Sequence, residues 1–217
     1  MVLGEQMTIH EKVLPSGDQR YTIAVPAGYT GDQPVPLVIA LHFGGEVTPF
    51  YGRTILEELV EPALRDLGAI IVAPDCPTNS WTDPQSEKAV LELLAYVEKN
   101  YAVDAQRRLI TGYSLGGTGT WYLTARNPDR FSAAVIMAGW PPQAIEEVEW
   151  KIPLVIIHSR QDEIVPLQPT EDFANTLQAK GAPVKMVILD GITHYEVFRF
   201  VEPLRTTVSW VESVWQR

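Results

Sequence analysis

Six short apolar runs, at residues 37–42, 69–74, 108–113, 133–138, 154–158 and 184–189, do most to limit what this chain can fold into. A run such as Leu37-Val38-Ile39-Ala40-Leu41 lacks the alternation of a strand with one wet face, so it marks a strand covered on both sides. Stretches with helical spacing lie between the runs. Residues 53–67 place Ile55, Leu59 and Leu64 on one side, and residues 86–100 repeat Val90, Leu93, Leu94 and Val97 at intervals of three and four. Further helices are predicted from the turn at Ser114 to about Arg126, over about 169–180 ahead of Gly181, and over 199–215. Strand alternating with helix predicts an α/β fold whose mostly parallel sheet carries helices on both faces. Ahead of it, residues 7–14 and 21–26 flank the turn signal Ser16-Gly17-Asp18 and predict an antiparallel hairpin.

At 217 residues, 46% hydrophobic and 20% charged, the chain suits one α/β domain spanning 1–217. A net charge of -10 repels phosphate backbones, so nucleic acid is not expected as a partner. Cys76 is the lone cysteine, which rules out an intrachain disulfide; nothing basic surrounds it, so a buried, inert thiol is expected. No apolar run reaches the eighteen or so residues of a membrane span. Residues 1–6 lack the basic start and apolar stretch of a signal peptide, so the expectation is a cytoplasmic protein or a processed or excised secreted domain. No Cys/His group at zinc spacing and no glycine-rich phosphate loop occurs, so neither metal nor other cofactor is expected. The sequence carries no signal for an oligomeric state.

In parallel sheets covered by helices, ligands bind beyond the carboxyl ends of the strands. The loops after His42, Ala73, Tyr113, Ala138, His158 and Leu189 should meet there. One of them carries Gly112-Tyr113-Ser114-Leu115-Gly116, a Gly-x-Ser-x-Gly between an apolar run and a helix. By composition alone this pattern arises in roughly one chain of this length in fifteen, so its context has to carry the argument. A sharp strand-to-helix turn pushes its serine hydroxyl out of the fold and needs small neighbours. Ser114 is therefore the expected nucleophile.

A serine needs a base within hydrogen-bond reach, itself oriented by a third group. Of the four histidines, His10 sits on the hairpin, while His42 and His158 close buried strands, where histidines usually hold loops. His194, on the loop after the last strand, is the expected base. The orienting acid is expected on the loop after His158: Asp162 first, because Ile164-Val165-Pro166 would pin that loop, then Glu163, with Asp190 a weaker third. Backbone N–H groups must hold the oxyanion. Leu115 supplies one, and Phe43 or Gly44 in His42-Phe43-Gly44-Gly45 supplies the other, with Gly44 favoured. Trp81, Trp140 and Phe43 are expected to line an apolar substrate pocket.

Gly112-Tyr113-Ser114-Leu115-Gly116-Gly117, the Leu41 to Gly45 loop, the His158 to Asp162 segment and His194 fall in the order Ser, Asp, His. Together they resemble the α/β-hydrolase superfamily, specifically its small carboxylesterase/phospholipase-like and polyhydroxybutyrate-depolymerase or feruloyl-esterase-like members. The resemblance spans about residues 20–215. It implies an eight-stranded sheet, a triad of Ser114, Asp162 and His194, and hydrolysis of a small-molecule ester through an acyl-enzyme. Pro74-Asp75-Cys76-Pro77 with Trp81 resembles a loop bordering the acyl or alcohol pocket of such esterases. Two departures stand out: Phe43 replaces a usual glycine, and residues 139–152 leave little room for a lid, which points to short-chain or aryl esters. The competing readings are a prolyl-oligopeptidase-type peptidase and a non-catalytic binding module on the same fold.

Overall fold

The computed structural model describes residues 7–143 and 148–216. The expectation of no signal peptide, read from residues 1–6, concerns residues outside this range. So, in part, do the acidic segment after Pro141-Pro142 and the short lid region, which run through 144–147.

Eight strands form one sheet in the order β1-β2-β4-β3-β5-β6-β7-β8. They are β1 (Met7–Val13), β2 (Arg20–Pro26), β3 (Val35–Leu41), β4 (Ile70–Pro74), β5 (Val103–Tyr113), β6 (Ala133–Met137), β7 (Leu154–Ser159) and β8 (Val184–Leu189). β1 pairs antiparallel with β2, and β2 antiparallel with β4; every later pairing is parallel. This is the α/β-hydrolase architecture, with the antiparallel start and parallel continuation the sequence predicts.

The apolar runs are unbroken because alternate residues feed two cores. Leu37, Ile39 and Leu41 of β3 join Ile70 and Val72 of β4 under α3 (Pro84–Asn100), α4 (Leu115–Arg126) and α5 (Leu167–Ala179). Val38, Ala40, Ile71 and Ala73 face the other way, against the helical segment around Leu56 and Leu59 and against α6 (Val201–Arg205) and α7 (Val208–Trp215). β8, read from the sequence as the last strand, lies at the edge of the sheet. It pairs only with β7, and after Val184 its residues are exposed or half-buried.

Two predicted helices are less regular than expected. The segment over 53–67 runs as α1 (Gly52–Ile55), a widened π turn (Leu56–Val60), α2 (Glu61–Leu64) and a tight 3-10 turn (Arg65–Leu67). Pro62 explains the wide turn, since its ring cannot approach the carbonyl four residues back. The predicted final helix is a 3-10 turn (Val197–Phe200) followed by α6 and α7, which are parted at Thr206 and Thr207. Both threonine hydroxyls donate back to backbone carbonyls, at 2.7 Å to Pro203 and 2.7 Å to Leu204. Such bonds offer the backbone an alternative to the helix.

Candidate active site

At the carboxyl end of β5 the chain turns into α4 through Ser114, whose backbone sits at φ 55° and ψ -117°. Few non-glycine residues adopt φ in this range, and those that do cluster at functional sites. Close packing around the turn dictates its glycines. A Cβ on Gly116 would lie 2.0 Å from the Leu41 carbonyl oxygen, and one on Gly112 would lie 2.2 Å from that of Gly116. Both contacts are with backbone, so neither could be relieved by moving a side chain.

The structure brings Ser114, His194 and Asp162 into one line. Ser114 Oγ lies 2.8 Å from His194 Nε2, and His194 Nδ1 lies 2.8 Å from Asp162 Oδ2. An ionised carboxylate only accepts, so Nδ1 carries the proton and Nε2 is left to accept from the serine hydroxyl. Asp162 Oδ1 accepts from the backbone N–H groups of Ile164 (3.0 Å) and Val165 (2.7 Å). Burial alone would push this carboxyl up. The hydrogen bonds from His194, Val165 and Ile164 and the His194 charge outweigh it and hold the group below the usual carboxylate range.

The remaining candidates for base and acid fall elsewhere. His42 is buried, donates from Nδ1 to the Phe43 carbonyl (2.7 Å) and accepts at Nε2 from the Cys76 N–H (3.0 Å). His158 is buried and donates from Nε2 to the Val165 carbonyl at 2.8 Å. Glu163 accepts from the His194 backbone N–H at 3.0 Å, and Asp190 pairs with Arg160 at the surface.

Burial lowers the pKa of both His42 and His158, although a carbonyl and a nearby carboxylate oppose it in each case. Folding therefore excludes protons that the unfolded chain takes up below about pH 6.5, the ordinary histidine value. Stability is full above that value and declines as the pH falls through the folded pKa values. Thermal melts from pH 7.5 to 5 should show a falling Tm; a Tm that stays level over that range contradicts the assignment of both rings as neutral.

The loop carrying His194 is moored to inner strands. The Tyr113 hydroxyl, at the end of β5, donates to the His194 carbonyl at 2.7 Å. Burial, with the Asp162 and Glu163 charges nearby, pushes that phenol pKa well up, so it stays a donor. From the β7 loop, Ser159 donates to the Ile192 carbonyl (2.6 Å) and Gln161 accepts from the Gly191 N–H (2.5 Å). Sequence reasoning passed over Tyr113 because the variable positions of Gly-x-Ser-x-Gly accept any side chain, and passed over Ser159 and Gln161 because their partners lie about 30 residues away.

A cleft of about 480 Å³ opens at Ser114, with Phe43, Gly44, Glu58, Ile164, His194, Tyr195 and Val197 on its walls. Phe43 and Gly44 border it as the sequence suggests, and a Cβ added at Gly44 would reach the Leu115 side chain at 3.8 Å. Trp81 requires a correction. Its indole is fully buried and donates from Nε1 to the His42 carbonyl at 2.9 Å, so it supports the Phe43 loop from beneath and cannot touch a substrate. Trp140 is exposed and lies outside the residues lining the cleft. Cys76 is buried, its sulfur 3.4 Å from Ser86 Oγ. A larger cavity of about 600 Å³, lined by Asp18, Arg20, Glu46, Asp75 and Asn79 among others, contains neither Ser114 nor His194. Its Arg20 and Asp75 are already paired at 3.1 Å. Among the described residues no group of three or more His, Cys, Asp or Glu could hold a metal ion, and no helix is long and apolar enough to cross a membrane.

The family model described as "Dienelactone hydrolase family" matches residues 74–209, a span that holds Ser114, Asp162 and His194. The chain belongs to the dienelactone hydrolase family. This places it among hydrolases of the α/β-hydrolase superfamily. As a dienelactone hydrolase family member it is 26% identical over 185 residues to feruloyl esterase C of Emericella nidulans, covering 80% of this chain and 66% of that protein. The chain thus spans about two thirds of the length of the feruloyl esterase relatives it matches. Two solved structures share the fold. A thermostable esterase gives a TM-score of 0.71 at 23% identity, over 96% of this chain and 60% of its own. A ferulic acid esterase gives 0.73 at 20% identity, over 97% of this chain and 99% of its own.

Proposed function

We propose that this dienelactone hydrolase family member is a serine carboxylic ester hydrolase that cleaves short-chain or aryl esters through an acyl-enzyme. The observation that carries the reading is the unbroken line Ser114–His194–Asp162, with 2.8 Å at each step, at the floor of an open cleft.

In this mechanism Ser114 Oγ attacks the ester carbonyl as His194 Nε2 takes its proton. Asp162 keeps Nδ1 protonated and offsets the imidazolium charge. The oxyanion rests on the backbone N–H of Leu115, at the start of α4, and on that of Gly44 or Phe43. The same imidazolium returns the proton to the departing alcohol. A water then enters, gives its proton to His194 and frees the acid from Ser114. The apolar walls supplied by Phe43, Ile164, Tyr195 and Val197 suit an alkyl or aryl group, and a volume of about 480 Å³ suits a small one.

The test is direct. Incubation with a serine-directed fluorophosphonate should add one label, located on Ser114 by peptide mass spectrometry, and abolish hydrolysis of p-nitrophenyl butyrate. Labelling elsewhere, or full activity after labelling, would overturn the assignment. Comparison of an ester with the matching aminoacyl p-nitroanilide separates an esterase from a peptidase on the same fold.

A further inference from the structure

We propose that Glu58 makes the cleft selective by charge, favouring cationic and neutral esters over esters whose acyl or alcohol part carries a carboxylate. The proposal rests on the esterase reading above and adds to it the charge class of the substrate.

The π turn Leu56–Val60 buries Leu56, Leu59 and Val60 and leaves Glu57 and Glu58 outside. The two acids have different fates. Glu57 is paired with Arg53 at 2.8 Å, and Arg53 also holds Glu11 at 2.8 Å. Glu58 has no ion pair or hydrogen bond among the described residues, yet it forms part of the cleft wall that includes Ser114 and His194. An unpaired carboxylate on that wall acts on whatever enters.

No lysine or arginine lines the cleft, and the cations nearest in sequence to its lining residues are occupied. Arg199 is held by the Gly191 carbonyl and Glu196, and Arg160 by Asp190. On the opposite loop, Glu163 adds a second carboxylate against the His194 backbone. The chain as a whole is at -10, so the long-range field has the same sign. A substrate carboxylate seated beside Glu58, away from the N–H groups that hold the oxyanion, would lose hydration and meet a like charge. A trimethylammonium group would meet Glu58 and the faces of Phe43 and Tyr195.

Three size-matched esters test this: p-nitrophenyl hexanoate, mono-p-nitrophenyl adipate and p-nitrophenyl 5-(trimethylammonio)pentanoate, with spontaneous hydrolysis subtracted. Wild-type kcat/KM should run cation, neutral, anion in falling order, with roughly fivefold between steps at low salt, shrinking as salt is raised. Glu58→Gln should lift the anion-to-neutral ratio about fivefold, and Glu58→Lys should reverse the order. Glu212→Gln, on α7, serves as the control for net charge, and its ratios should stay within about twofold of wild type. If Glu58→Gln and Glu212→Gln shift the ratios alike, or neither moves them, Glu58 is not the determinant, while hydrolysis of the hexanoate keeps the esterase reading intact. Failure to turn over even the hexanoate removes the esterase reading and this inference with it.

Discussion

Replacing Ser114 with alanine is expected to lower kcat on p-nitrophenyl butyrate by roughly 10⁴- to 10⁶-fold with the fold intact, because the atom that forms the covalent bond is gone while its surroundings remain. The side chain is small and partly exposed, and among the described residues the hydroxyl bonds only His194 Nε2, so Tm should change little. The strained backbone at φ 55° is as demanding for alanine as for serine, and the neighbouring glycines that permit it are untouched. Stopped-flow turnover of the purified variant, with a melt as control, gives the answer. A folded Ser114→Ala protein that keeps more than about a hundredth of wild-type kcat would remove Ser114 from the chemistry.

The second large effect is expected for Asp162→Asn, at roughly 10⁴-fold in kcat. Asparagine can keep the carbonyl oxygen facing the Ile164 and Val165 N–H groups, so the loop should hold its shape. Its amide then donates to His194 Nδ1 and drives the ring proton onto Nε2, leaving no lone pair for the serine hydroxyl. Stability gives an independent readout. The Asp162 carboxyl titrates lower in the folded chain than in the unfolded one, where about 3.9 is ordinary. Its charge thus adds stability that is complete above the unfolded value and lost as pH falls through the folded one. Wild type should lose Tm more steeply than Asp162→Asn as pH drops below about 4. Equal activity in the two proteins would mean that Asp162 does not orient the base.

Much of the architecture was legible because most buried strands are largely apolar runs, and a strand sandwiched between two helical layers has no wet face to disguise it. The edge position of β8 was not legible: its apolar residues are half-exposed, and composition cannot distinguish an end position from an inner one. Helix interruptions at Pro62 and at Thr206-Thr207 were written in residue types known to disturb helices, but their depth depends on tertiary packing. The site was legible where chain order and topology suffice, since residues following parallel strands must gather at one edge. Trp81 was misplaced because a tryptophan on a polar loop reads equally as a cleft wall or as a plug. Only the His42 carbonyl, 39 residues away, makes it a plug. Tyr113 and His194 meet across 81 residues, a contact no local pattern encodes. Glu58 looked like one more acid on the wet side of a helix.

The moorings of the His194 loop have a consequence for how the molecule can move. Edge strands open more readily than inner ones, and β8 has a neighbour on one side only. The loop that follows β8 is nonetheless hung from Tyr113 on β5 and from Ser159, Gln161 and Glu163 at the end of β7, not from β8 itself. Fraying of the outermost strand therefore need not reach the imidazole. The rim of the sheet can breathe while the distance from His194 to Ser114 is held by the two strands that also carry the serine and the aspartate.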